Sequence, residues 1–312
     1  RRFALERAGG RARLVVTDPD EATNPKVAQL LALERAASGA IVVISDSNVR
    51  VASGYLEPLV AELARPGVAM VSSVVVGTGE QTLGAALENL QLGALVAPGV
   101  VAAEFWTGRA ITVGKSMAMW RSRLRRVGGF ETVGGVLSED HMLGRAFAAA
   151  GYEVRVSLEP VANRNVACSL ARTVERHTRW AKLRRSISPV GFAFEPALSP
   201  IVVASLACLA SPSKVVAAAF SLAVVLQTLA ATIMMRVLRR AAPRGSRGRD
   251  FAAAYWVPLE IIRSYVLFFC WLRACVSLRV GWRGHEFELA NGSAIVPAEP
   301  TIWSRVRTMV RA

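Results

Sequence analysis

The chain has 312 residues, with 38 Lys plus Arg against 23 Asp plus Glu and a net charge of +15. That length holds one α/β domain plus a membrane portion. A hydrophobic fraction of 53% and a mean hydropathy of +0.35 argue against a nucleic-acid-binding domain, so the positive charge points to anionic lipid surfaces and phosphate ligands.

In chain order, residues 12–16 read as a short strand and 18–23 as a polar turn. Asn24 caps a helix with Pro25 in its first turn, and Val27, Leu30, Leu31 and Leu33 form its apolar side. Residues 40–45 are a continuous apolar run ending in Asp46, as expected of a central parallel strand covered on both faces. A helix over 55–64 stops at Pro66-Gly67, and 68–76 is a further strand. This alternation predicts a doubly wound, Rossmann-like α/β sheet with ligand sites beyond the carboxyl ends of its strands. Leu83, Leu87, Leu90, Leu92 and Leu95 suggest an amphipathic helix that Pro98-Gly99 interrupts before Phe105-Trp106. That segment either lies on the membrane interface or packs on the sheet. Residues 111–120 are strand-like, a helix opens at 137–140 and ends at Gly151, a short strand covers 154–157, and 169–185 is a strongly basic helix.

Composition changes near Pro189, which divides the chain into an α/β domain over 1–188 and a membrane region over 189–312. Residues 190–210 are largely apolar, and 215–235 are a clean apolar run of spanning length. Arg236, Arg239, Arg240, Arg244, Arg247 and Arg249 follow it, as expected on the cytoplasmic side. Two crossings before this loop put the α/β domain on that side too. Residues 251–278 are apolar again but carry Glu260, Arg263 and Arg273, so they read as an interfacial helix with a short span, or as a span lining a polar cavity. A basic tail from Arg279 leans cytosolic. The expectation is an integral, multi-pass membrane protein with two or three transmembrane or interfacial helices, in the inner membrane if the source is bacterial. Cys168, Cys208, Cys270 and Cys275 form no CxxC or Cys/His pattern and read as buried thiols of a reducing compartment.

Two short acidic sites and one basic helix carry the candidate chemistry. Asp46, at the end of an apolar strand, either holds a divalent cation that neutralises a diphosphate or serves as a turn or cap residue. Asp140 follows Glu139 at a helix start, where it is either a general base or favourable charge at a helix N-terminus. Arg176, Arg179 and Trp180 fall at i, i+3 and i+4 on one helix face. Two guanidiniums and an indole there suit phosphate oxygens and a ring, or anionic headgroups beside a membrane. Gly114-Lys115-Ser116 is not a P-loop ending, because Arg109 stands where the loop's first glycine would be. His141, His177 and His285 show no metal-ligand spacing.

Together these stretches resemble the inverting, processive-type membrane glycosyltransferases that include cellulose, chitin and hyaluronan synthases, and among them the ceramide glucosyltransferases most. The marks are Asn24-Pro25-Lys26-Val27, Ser45-Asp46-Ser47-Asn48, Gly114-Lys115-Ser116-Met117, Gly128-Gly129-Phe130, Ser138-Glu139-Asp140 and a (Q/R)xxRW box from Arg176 to Trp180. They span about residues 10–290 in the family's order. The resemblance implies a GT-A type α/β domain on the cytosolic face, anchored by C-terminal transmembrane helices. It implies metal and diphosphate binding at Asp46, a catalytic base at Asp140, and diphosphate or acceptor contacts at Arg176, Arg179 and Trp180, with Lys26 near the nucleotide. The implied partners are a UDP-sugar, most simply UDP-glucose, Mg²⁺ or Mn²⁺, a ceramide-like lipid and the membrane, with no nucleic acid. A hopanoid or diacylglycerol acceptor would keep the same chemistry, and a non-catalytic membrane protein docking lipid or partner is the reading from another class. The family's uracil-contacting aspartate, first strand and N-terminal anchor would precede Arg1, so a fragment or processed chain is expected. Asn48 stands in place of the second acid of a DxD motif.

Overall fold

The computed structural model describes residues 12–243, 255–282 and 285–298. The expected arginines 244, 247 and 249, the residues before 12 and the tail beyond 298 lie outside the described residues. In chain order the elements begin with helix α1 (Pro25–Ala36), strands β1 (Ile41–Ser45) and β2 (Val49–Arg50), helix α2 (Leu56–Leu63) and strand β3 (Val68–Thr78). Helix α3 (Leu83–Gln91) runs through a π turn (Leu92–Val96) into α4 (Ala97–Thr107), followed by β4 (Ser116–Trp120) and α5 (Arg121–Arg126). Then come α6 (Glu139–Ala149), β5 (Glu153–Arg164) and α7 (Leu170–Ile187). The apolar part holds α8 (Pro189–Phe194), α9 (Pro200–Ala210), α10 (Lys214–Ala241) and α11 (Trp256–Val276). Strands β6 (Arg279–Trp282), β7 (His285–Leu289) and β8 (Ile295–Pro297) close the described chain.

Two compact units divide these elements, one formed by residues up to 75 with 99–161 and the other by 76–98 with 162 onward. The composition change at Pro189 falls elsewhere because it follows hydropathy, whereas the units follow packing. Helix α7, polar as it is, packs on α3 in the second unit: the Thr173 hydroxyl donates to the Gly84 carbonyl at 3.0 Å. A Cβ at Gly84 would lie 2.5 Å from the Cys168 carbonyl, so only glycine lets these backbones approach so closely.

The first unit is α/β. Its sheet has the order β1-β4-β3-β5-β2, and β4 runs antiparallel to both its neighbours. Ile41 pairs with Trp120 and Ser45 with Ser116, while Met70 pairs with Met119. Strand β1 therefore lies at the end of the described order, not at its centre, and within it only Ile44 is buried. Its unbroken apolar run is paid for by packing on one face: Ile44 joins Val27, Leu31, Met117 and Phe147 in the core. No strand forms over 12–16. Helix α1 starts where Asn24 accepts from the backbone of Lys26 at 2.9 Å and Val27 at 3.4 Å.

Pro98 does not break the helix that runs from Leu83 to Thr107. The π turn just before it, in which the Ala97 N–H donates to the Leu92 carbonyl, shifts the ladder ahead of the residue that lacks a donor. By length and composition two helices, Leu83–Thr107 and Lys214–Ala241, are apolar enough to cross a membrane, and the pair Pro189–Leu198 and Pro200–Ala210 qualifies together but is bent by 78°. The first of them has 61% of its apolar window buried within the protein and the second only 17%, so among the described residues most of the second helix's apolar surface is exposed. Helix α11 carries Glu260 and Arg263 inward, while Arg273 is exposed. Glu260 is fully buried and paired with Arg263, and Gln227 of α10 donates to Glu260 at 2.7 Å and to Ser264 at 2.9 Å. Beyond it the basic stretch from Arg279 forms an antiparallel three-stranded sheet, β6-β7-β8, that its charge pattern did not suggest.

Candidate active site

The site in the first unit follows from one register. Because Ser45 pairs with Ser116, the residue after β1 meets the residue before β4, and the Asp46 N–H donates to the Lys115 carbonyl at 3.2 Å. The Lys115 ammonium then lies 2.9 Å from Asp46 Oδ2 and donates to Asn48 Oδ1 at 3.0 Å. Strand β3 holds the approach to β4 from the other side: Ser72 Oγ accepts from the Val113 N–H at 2.9 Å and donates to the Val113 carbonyl at 3.2 Å.

Helix α1 brings Lys26 to the same place. Its ammonium pairs with Glu139 Oε1 at 2.7 Å and Asp46 Oδ1 at 3.5 Å, and donates to the Gly114 carbonyl at 3.4 Å. Burial acts to lower its pKa, but the carboxylates of Glu139, Asp46 and Asp140 outweigh that and push it up to about 12. Glu139 is 7% exposed. Burial first, and the Asp140 charge second, raise its carboxyl above the ordinary range, while Lys26 pulls the other way. Asn24 ties the cap of α1 to the start of α6: its amide donates to the Val136 carbonyl at 2.7 Å and to Glu139 Oε2 at 3.5 Å.

Asp140, in the first turn of α6, is held by several hydrogen bonds, among them a long one of 3.4 Å from the Ser138 hydroxyl to Oδ1. Oδ2 accepts from the Gly114 N–H at 2.6 Å, Oδ1 accepts from the His141 N–H at 2.8 Å, and the carbonyl accepts from the Thr112 hydroxyl at 2.6 Å. A Cβ at Gly114 would lie 2.9 Å from Asp140 Oδ2 and 3.0 Å from the Lys26 ammonium, so the absence of a side chain there is what lets the two groups close in. The structure thus gathers Lys26, Asp46 and Asp140 around one glycine. Chemically, a carboxylate beside two ammoniums, with a second, partly exposed carboxylate fixed across a peptide unit, can hold a charged leaving group and accept a proton close by.

Arg176, Arg179 and Trp180 lie in the second unit, on α7, and share one side of that helix. Arg176 forms an ion pair with Glu88, which is 2% exposed. Burial, and then the Arg176 charge, lower the pKa of Arg179, and among the described residues its guanidinium makes no hydrogen bond. Trp180 meets His177 edge to face at 5.1 Å, and burial drives the His177 imidazole down to about 3, so it is neutral.

The family model described as glycosyl transferase family 21 matches residues 6–295. The chain belongs to that family. Among characterised proteins, this family 21 chain is 25% identical over 279 residues to ceramide glucosyltransferase 3 of Caenorhabditis elegans, covering 88% of this chain and 59% of that protein. It is 24% identical over 273 residues to ceramide glucosyltransferase 1 of the same organism, covering 87% and 58%. The chain therefore spans less than two thirds of the length of these relatives.

Sequence reasoning missed three members of the site. All three stand in the boxes that mark the resemblance, but Glu139 was otherwise read as charge at a helix start, Asn48 as a missing acid and Lys115 as part of a rejected P-loop, and none was given a role in the site. The available signal was scarcity: Lys26 and Lys115 are two of only four lysines, and both come to Asp46.

Proposed function

We propose that the protein is a membrane-bound inverting hexosyltransferase that moves glucose from UDP-glucose to the primary hydroxyl of a ceramide-like lipid. The observation that carries this reading is Asp140 fixed on the Gly114 N–H beside an Asp46 flanked by two ammoniums. Family membership and the similarity to ceramide glucosyltransferases support it.

In the proposed reaction Asp140 accepts the proton of the lipid hydroxyl as its oxygen attacks the anomeric carbon. The bond from that carbon to the diphosphate oxygen breaks, its electron pair leaves with UDP, and the configuration inverts to β. Positive charge on the Asp46 side of the site meets the charge that builds on the departing diphosphate. Among the described residues no three His, Cys, Asp or Glu side chains cluster, and Asp46 is the carboxylate that would hold a metal in this reading. One partly exposed carboxylate fits Mg²⁺ or Mn²⁺, which take their remaining oxygens from phosphate and water. Such an ion at Asp46 would supply further charge neutralisation to the diphosphate. The apolar helix Lys214–Ala241 supports membrane residence, and in this reading the α/β unit faces the cytosol.

The test uses the intact protein in detergent–lipid micelles with Mn²⁺ and UDP-glucose, offered ceramide, diacylglycerol or a hopanoid alcohol. The expected result is ceramide-dependent UDP release that Asp140→Asn abolishes while UDP-glucose binding is kept. Release with another lipid alone would move the acceptor. No release with any acceptor, or equal loss of binding and turnover in Asp140→Asn, would overturn the assignment.

A further inference from the structure

We propose that Lys115, tethered by Asn48, is the side chain that takes the diphosphate of the nucleotide donor. The inference rests on the donor reading above and adds a residue to it. Charge accounting separates the two lysines of the site. The Lys26 ammonium has Glu139 at 2.7 Å and Asp46 at 3.5 Å, and it also feels Asp140, so anions surround it. The Lys115 ammonium has one anion, Asp46 at 2.9 Å, which Lys26 already shares; its other partner, Asn48 at 3.0 Å, is neutral. Lys115 is the cation in excess, and 24% of its side chain is exposed. A second carboxylate at position 48 would cancel that excess. A carboxamide oxygen holds the ammonium in place and leaves its charge available to an anion.

The backbone around Lys115 is pinned on both sides. Its carbonyl accepts from Asp46, the preceding Gly114 N–H donates to Asp140, and the following Ser116 hydroxyl bonds to Tyr55 at 2.5 Å and Ser73 at 3.0 Å. Lys115 thereby directs a fixed cation from the residue next to the one that holds the proposed base. Phosphate binding and proton transfer are set by adjacent residues of one rigid turn, which suits a reaction that needs the leaving group and the attacking hydroxyl in register.

The test measures binding of UDP, UMP and uridine to the protein in detergent–lipid micelles by calorimetry, with Lys115→Met, Lys115→Arg and Asn48→Leu alongside wild type. Lys115→Met is expected to weaken UDP about tenfold or more, UMP less, and uridine hardly at all, since a charge-assisted bond is lost. Lys115→Arg keeps most of the UDP affinity, and Asn48→Leu loses a few-fold. UDP affinity within about twofold of wild type in Lys115→Met, or an equal loss for uridine, would overturn the proposal. If Lys115→Met does not fold, Lys115→Arg and Asn48→Leu decide it: loss of folding in all three makes the residue structural and ends the proposal. Wild-type protein that binds no UDP at all would take down the donor reading, and Lys115 with it, whereas UDP binding indifferent to Lys115 removes this inference alone.

Discussion

Lys26→Met tests the electrostatic core of the site. Methionine follows the lysine stem to its last carbon and removes the charged end, so the change acts chiefly on the ion pairs. The ammonium's pKa rises from an ordinary 10.5 to about 12 in the folded protein. At about 1.4 kcal/mol per tenfold change in acidity, that contributes roughly 2 kcal/mol of stability. The folded value is the higher one, so this contribution is complete below pH 10.5 and is lost as pH rises through 12. At pH 7.5 it is fully present. Its loss lowers the melting temperature by roughly 4–8 °C, at about 2–4 °C per kcal/mol for a chain of this class. The substitution also strips Glu139, 7% exposed, of its 2.7 Å partner, so part of the loss is an unpaired buried carboxylate. Adding Glu139→Gln to Lys26→Met should therefore restore part of the lost stability. Melting is followed by fluorescence at one scan rate in one detergent, because membrane proteins unfold irreversibly. A Lys26→Met midpoint within about 1 °C of wild type, or a double variant that loses the sum of the two single losses, would refute the reasoning.

Three further outcomes follow from the same contacts. Gly114→Ala sets a methyl 2.9 Å from Asp140 Oδ2 and should cut turnover roughly 10- to 100-fold while UDP binding changes little, read as kcat against a binding isotherm. Asn24→Ala removes the cap of α1 and the bond to the Val136 carbonyl, and should cost about 2 kcal/mol in thermal melting. In the second unit, Glu260→Leu leaves the 6% exposed Arg263 without its carboxylate and should cost about 3–5 kcal/mol, with Arg263→Met in the same chain recovering most of it. A Glu260→Leu protein as stable as wild type would show that the pair contributes nothing there.

The chemistry was legible wherever residue type and local order suffice. Asn24-Pro25 announced α1, the apolar run before Asp46 announced β1, and the order of short boxes from Asn24 to Trp180 pointed to the family that the chain belongs to. The Lys214–Ala241 helix was legible because about 20 apolar residues suffice to cross a bilayer whatever surrounds them. What the sequence could not show was partnership over distance. Apolar strands look alike at the edge and the centre of a sheet, so β1 read as central although only Ile44 is buried. Glu260 and Arg263 marked α11 as unusual, and their i,i+3 spacing allows them to pair, but their burial and the bond from Gln227 to Glu260 depend on which helix faces which. The site shows the same limit most sharply. Lys26, Asp46, Gly114, Lys115 and Glu139 are spread over 113 positions, the separation of Lys26 from Glu139, and no local rule joins them. Their meeting depends on the β1–β4 register, which sets Asp46 beside Lys115, and on the α1 cap, which ties Asn24 to Glu139. Sequence alone determined which side chains could do this chemistry; the tertiary structure decided which of them touch, because strand register and helix docking are set by packing of the whole core and not by any residue's neighbours in the chain.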